Sequence, residues 1–264
     1  MKASVKLIVI IGVFAVFGTI SQAVFGSEIP TQMRAENETF DQALKHYLQS
    51  TRMADASALS AARPIEDADF SRLTRWSSVE LEKYFERVRD DRFLSLSERP
   101  DFLRRSSWLF PDDGCFARAA VTGRRLSQWG VSRPKKLFIF GQLRVRTPNG
   151  PAGVGGSVYW WYHVASVVSQ AGRIYVLDPA IFPKNAVLFD DWVEAMVDDP
   201  KTVRVAVCEA YSYEPGSSCL SSTPSDEAAA TEQQHDFLRS EWSRLEQLGR
   251  SAERELGDSP PWVR

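Results

Sequence analysis

The stretch "VYWWYHVASVVSQAGRIYVLDPA", residues 158–180, decides the fold. It contains two runs rich in β-branched and aromatic residues, Val158–Val168 and Ile174–Leu177, joined through Gln170-Ala171-Gly172. Runs of this kind around a short glycine-bearing link read as two strands of a hairpin. Loop length then sets which side chains meet. A two-residue loop, Ala171–Gly172, places His163 opposite Ala180 and diagonal to Asp178, while a four-residue loop, Ser169–Gly172, places His163 directly opposite Asp178. Both bring the imidazole and the carboxylate to one face, close enough to bond. A three-residue loop sends them to opposite faces, because a one-residue slip reverses every side chain.

Working outward, "KLFIFGQLRVRT" (136–147) and "TVRVAVCEA" (202–210) have the same strand character. "PNGPAGVGG" (148–156) is glycine-rich, but no Lys-Ser/Thr follows and a strand comes next, so it is not a phosphate loop. The chain before residue 130 reads differently. Residues 28–36 form a polar leader, and residues 37–53 carry Phe40, Leu44, Tyr47 and Leu48 at helical spacing. Residues 54–75, rich in Ala, Ser and Asp, read as a linker or loosely held segment. Ser77 and Glu80 form a capping box ahead of Leu81, Tyr84, Phe85 and Val88, and the stretch that follows to Pro111 reads as irregular. Cys115 to Trp129 reads as a helix stopped by Gly130, and Phe189–Val197 as a short helix. In the helical tail, Leu238, Trp242, Leu245 and Leu248 make an apolar stripe, and the charged remainder reads as a solvated face. Helices followed by mostly antiparallel strands make an α+β architecture, with a helix laid on a sheet.

The opening "MKASVKLIVIIGVFAVFGTISQAVFGSE" has Lys2 and Lys6, an apolar run and Ser21-Gln22-Ala23, the pattern of a secretory signal peptide over residues 1–23; an uncleaved anchor is the alternative, because the apolar run is nearly long enough to span a bilayer. The expected location is therefore secreted or periplasmic, with no stable membrane insertion after signal cleavage. The 264 residues are 44% hydrophobic and 25% charged, enough for an ordinary core, and a net charge of −2 gives no electrostatic case for nucleic acid. The three histidines and three cysteines show no ligand spacing, so neither a metal nor another cofactor is expected.

In an oxidising compartment, Cys208 and Cys219, separated by a loop containing Pro215-Gly216, are a natural disulfide pair. Cys115 is left over. It opens a helix after Asp112-Asp113-Gly114, with either aspartate available as a cap. Unpaired backbone N–H groups there favour a thiolate and can hold an oxyanion. Such a thiol needs a base. His46 and His235 lie in polar helices, whereas His163 has Asp178 as an orienting partner. Cys115 as nucleophile, His163 as base and Asp178 as orienter make a triad. Trp160 and Trp161 flank the histidine as candidate substrate-cleft residues, although strand alternation sends them to opposite faces.

"DGCFARA" (113–119), "WYHVASVV" (161–168), "VLDPAIF" (176–182) and Trp192, in that order, resemble the bacterial protein-glutaminase (protein-glutamine deamidase) family. The resemblance covers Trp108 to Trp192. It implies a transglutaminase/papain-like α+β fold, secretion, and hydrolysis of protein-bound glutamine by Cys115, His163 and Asp178. In some members an N-terminal pro-region covers the site. The expected division is a signal peptide (1–23), an N-terminal extension or pro-region (24–75), a catalytic domain (76–225) and a C-terminal helical tail (226–264). The expected protein is a monomer whose partners are proteins or peptides with accessible glutamine. The same triad serves a cysteine peptidase or a transglutaminase-type acyltransferase, since all three pass through an acyl-enzyme. A non-catalytic envelope interaction domain is the alternative of a different class.

Overall fold

A computed structural model describes residues 31–151, 156–220 and 224–263. The expected signal peptide lies outside the described residues. Elements run in the order α1 (Phe40–Ser50), α2 (Ala58–Ala61), β1 (Arg63–Pro64), α3 (Ser78–Asp90), β2 (Leu94–Leu96), β3 (Arg99–Arg104), α4 (Cys115–Gln128), β4 (Lys135–Thr147), β5 (Gly156–Gln170), β6 (Arg173–Leu177), β7 (Val187–Leu188), α5 (Phe189–Glu194), β8 (Arg204–Cys208), α6 (Pro224–Gln247) and α7 (Ala252–Leu256). Six strands form one sheet in the order β1-β8-β4-β5-β6-β7, and every neighbouring pair is antiparallel. The mixed helix and antiparallel-sheet architecture is the one the sequence pattern predicts.

The β5–β6 hairpin takes the two-residue option. Ser166 pairs with Leu177 and Gln170 with Arg173, leaving Ala171 and Gly172 as the loop. Both have positive φ, 49° and 79°, as a turn matching the strand twist requires. Pairing of β4 with β5 shifts between Phe140 and Leu143, so Gly141 and Gln142 together face Trp161. This bulge lies two residues before His163, where it bends the long strands beside the site.

Strand alternation divides the core between the two faces of the sheet. Phe138, Phe140, Tyr162, Val164 and Ala206 pack with α4 residues Cys115, Phe116 and Ala119 on one face. Leu137, Ile139, Ala165, Val167 and Val205 pack with Phe189, Trp192 and Met196 of the α5 region on the other. Helix α4 contacts both β5 and α6. Its residues Ala117, Ala119 and Ala120 are buried, and small side chains there allow close helix–sheet approach.

Three segments differ from their sequence reading. Residues 54–75 are docked rather than loose: Ala58 and Ala62 are fully buried, Arg63 and Pro64 form an edge strand on β8, and Leu73 enters the core. Small residues give no periodic signal, yet they pack closely. The stretch read as irregular contains the β2–β3 hairpin. The apolar stripe of the tail is buried as read, but part of its charged remainder is not solvated. Leu238, Leu245, Gln234 and Glu241 on α6 are buried, and Arg244 pairs with buried Asp112. Ala43, Tyr47, Ala58 and Ala62 share one core cluster with Cys115. No described helix is long and apolar enough to cross a membrane.

Candidate active site

The Cys115 end of α4 has an unusual start. Its N-cap is Gly114, in the left-handed region at φ 86°, and no side chain caps the helix. Neither aspartate takes the role expected of it. Asp112 is held by Arg244, at 2.5 Å from Nη2 to Oδ2. Asp113 turns back to accept the Gly114 N–H at 2.7 Å. The first-turn N–H of Cys115 is therefore not satisfied by the helix itself.

On β5, His163 is almost fully buried and donates from Nε2 to Asp178 Oδ2 at 2.7 Å. The same oxygen accepts the Trp192 indole N–H at 2.9 Å. Trp160 stacks on the imidazole, with ring centroids 4.5 Å apart and planes within 12°. With Nε2–H committed to the carboxylate, the neutral ring presents its lone pair at Nδ1. Trp160 in turn donates to Asp112 O at 3.1 Å, tying the His163 strand to the loop that leads into Cys115.

Cys115 and His163 are not directly hydrogen-bonded. The Gln32 side chain bridges them. Its Oε1 accepts the Cys115 N–H at 2.9 Å, and its Nε2 lies 3.5 Å from His163 Nδ1. The amide can sit only this way round: a backbone N–H needs an acceptor, and an imidazole lone pair needs a donor. Gln32 is completely buried. Its backbone is fixed as well. Gln32 N–H donates to Asp113 Oδ1 at 3.3 Å, Gln32 O accepts the Trp161 N–H at 3.1 Å, and Arg34 N–H donates to Tyr159 O at 2.9 Å. Met33 bridges antiparallel to Trp160, so residues 32–34 lie along β5 as an added extended segment.

Charges in the site follow from burial. Burial pushes the Cys115 thiol well up, Asp113 and Asp178 add to this, and the Arg118 guanidinium and Val164 backbone oppose it. The thiol is thus held protonated beneath Gln32. Burial alone would raise the Asp178 carboxyl, but the pull of His163 when it is protonated, its hydrogen bond and the Trp192 bond together hold it below its ordinary value. Asp113 is raised, chiefly by burial, against hydrogen bonds from Thr31, Gly114 and Gln32.

Of the residues singled out from sequence, His163 and Asp178 are in contact, and Cys115 joins them through Gln32. His46 is exposed and pairs with Glu38, and His235 lies beside Glu232, both outside this group. Trp160 packs with one core cluster and Trp161 with the other, as alternation requires. Trp161 donates to Thr31 O at 2.9 Å and packs on Tyr47. Cys208 and Cys219 form a disulfide with Cα atoms 4.5 Å apart, and Cys115 is the free cysteine. Among the described residues, no group of three or more His, Cys, Asp or Glu could hold a metal ion. Sequence reading missed Gln32, which stood in a polar leader with no periodic or motif signal. The bond from Trp192 to Asp178 was also missed, although Trp192 belongs to the recognised pattern.

A family model described as glutaminase matches residues 81–196, a span that contains Cys115, His163, Asp178 and Trp192. The match is to the glutaminase family. The resemblance read from the three motifs is therefore borne out. Among solved structures, a crystal structure of pro-protein-glutaminase is 20% identical with a TM-score of 0.46, covering 66% of this chain and 64% of its own. A crystal structure of protein-glutaminase is 20% identical with a TM-score of 0.45, covering 61% and 89%. The NMR structure of protein-glutaminase from Chryseobacterium proteolyticum is 20% identical with a TM-score of 0.42, covering 69% and 94%. This chain thus spans 64% of the length of the pro-protein-glutaminase it matches. No curated protein matches.

Proposed function

We propose that this protein is an exported cysteine amidohydrolase that deamidates glutamine side chains of proteins or peptides. In this reading Cys115 is the nucleophile, His163 the acid–base group and Asp178 its orienter, in a transglutaminase/papain-like arrangement. The observation that carries the proposal is the seating of Gln32. A glutamine amide lies with its carbonyl oxygen on the Cys115 N–H at 2.9 Å and its nitrogen 3.5 Å from His163 Nδ1. These are the contacts a substrate amide needs. The N–H stabilises the oxyanion formed on attack, and the imidazole gives a proton to the departing nitrogen.

The reaction runs in two halves. The Cys115 thiol passes its proton to His163 Nδ1 as Sγ bonds to the amide carbon. The imidazolium, stabilised by Asp178, returns that proton to the nitrogen, and ammonia leaves. Water then adds to the thioester with His163 as base, giving glutamate and free enzyme. Cys115 and His163 are not hydrogen-bonded to each other with the Gln32 amide seated, so the proton transfer needs the two side chains to close up around the seated amide. The disulfide and the N-terminal signal pattern support export, because disulfides persist in oxidising compartments. The family match favours glutamine over other amides.

The test is mass spectrometry of a glutamine-rich protein incubated with the enzyme and excess primary amine. Deamidation adds about 1 Da per converted glutamine, NH₂ being replaced by OH, with release of ammonia. A dominant amine adduct would make the protein an acyltransferase, and backbone cleavage would make it a peptidase. Loss of all conversion in Cys115→Ala is expected.

A further inference from the structure

We infer that Gln32 is an intramolecular substrate: the enzyme deamidates its own residue 32 to glutamate. This rests on the function proposed above and assigns a modification site to the N-terminal segment.

The inference follows from what Gln32 does beyond filling space. A residue that merely plugs the site would need only volume. Gln32 places the one functional group the chemistry acts on, in the orientation the chemistry requires. Its carbonyl oxygen meets the N–H that α4 leaves uncapped, and its nitrogen meets the imidazole nitrogen that Asp178 leaves free. Its backbone is held on both sides, by Asp113 Oδ1 and by the Trp161 N–H. Arg34 adds side-chain bonds to Trp160 O at 3.1 Å and Leu143 O at 3.2 Å. An amide held beside a nucleophile by its own chain reacts without the entropy loss of a bimolecular encounter.

Other glutamines provide the contrast. Gln42 lies ten residues on, in the capping box of α1, where its side chain accepts the Thr39 N–H. Gln234 is buried against Ser107, with its Oε1 accepting the Ser107 N–H. Neither carries its amide to Cys115.

The step balances. Cys115 Sγ bonds to Gln32 Cδ, the Cδ–Nε2 bond breaks, and ammonia leaves with the proton the thiol gave to His163. One water then adds to Cδ, the Cδ–Sγ bond breaks, and the thiol is restored. One water is consumed, one ammonium ion is released, and residue 32 becomes glutamate.

The experiment compares the full-length wild-type chain with Cys115→Ala and with His163→Ala, two independently inactive variants. Each is purified, quenched in acid, digested and mapped by mass spectrometry, while a denatured glutamine-rich protein is assayed in parallel. The wild-type peptide containing residue 32 should be about 1 Da heavier, as hydrolysis of the acyl-enzyme requires. Gln42 should be unchanged, and both variants should keep Gln32. Isotope-labelled Cys115→Ala chain mixed with wild type should also keep Gln32, since the reaction is within one chain. An enzyme that converts the added protein yet keeps its own Gln32 overturns this inference and leaves the proposed function standing. Failure to convert either overturns both. Glutamate at residue 32 in the inactive variants, or in the labelled chain, overturns the intramolecular assignment.

Discussion

Replacing Asp178 by Asn should slow the enzyme only modestly, and the reason lies in one oxygen. Both donors to this carboxylate, His163 Nε2–H at 2.7 Å and Trp192 Nε1–H at 2.9 Å, converge on Oδ2. An asparagine side chain can keep both bonds if its carbonyl oxygen takes the Oδ2 position and its NH₂ takes that of Oδ1. The reversed amide would point a donor at two donors. The Nε2–H tautomer therefore survives, and Nδ1 remains the base. What is lost is the charge on the acceptor. A hydrogen bond to a charged group contributes about 1.5–3 kcal/mol against about 0.5–1.5 for a neutral one, so the imidazolium loses roughly 1–2 kcal/mol of stabilisation. At about 1.4 kcal/mol per factor of ten, kcat should fall about 5- to 30-fold. Ammonia release from a glutamine peptide under saturating substrate measures this. A drop of roughly 10⁴-fold, the size associated with a wrongly fixed tautomer, would refute the argument, and so would an unchanged rate.

Four further outcomes are expected. Reducing the Cys208–Cys219 bond, which spans a sequence separation of 11, should cost about 3 kcal/mol in the loop-entropy model, read as a lower urea midpoint; no shift on reduction would refute this. Arg244→Ala should destabilise by about 3–5 kcal/mol, because it strands buried Asp112 without its partner, and thermal melting of the variant tests it. Burial lifts Glu241 on α6 to about 8, despite the Leu109 N–H bond and three nearby arginines. The unfolded chain gives up this proton near pH 4.5 while the folded chain keeps it, so the group's contribution falls as pH rises from about 4.5 towards 8, and Glu241→Gln should flatten melting temperature over that range. In an inactive His163→Ala background, Gln32→Glu should speed iodoacetamide labelling of Cys115 several-fold, because a carboxylate at this fully buried position, without the imidazole as partner, holds the covering segment less well; equal labelling rates would count against it.

The sequence by itself determined the local features. β-branched and aromatic runs set β4, β5, β6 and β8, the Ser77–Glu80 box set the start of α3, and Gly130 ended the helix of Cys115. These are short-range effects of backbone preference and capping, written in neighbouring residues. Period-two alternation also narrowed the His163–Asp178 relation to a few registers, and the two positive-φ residues Ala171 and Gly172 settled on one of them. Tertiary structure decided the rest. Residues 54–75 looked loose because Ala and Ser carry no periodicity, but their small size lets Ala58 and Ala62 pack flush in the core. The charges of α6 looked solvated because pattern alone cannot show that Glu241 and Arg244 turn inward to Leu109 and Asp112. Gln32 was invisible for the same physical reason. Its contacts with Cys115 and His163 span 83 and 131 residues, and no local rule connects a polar leader to a helix start and a strand so far away.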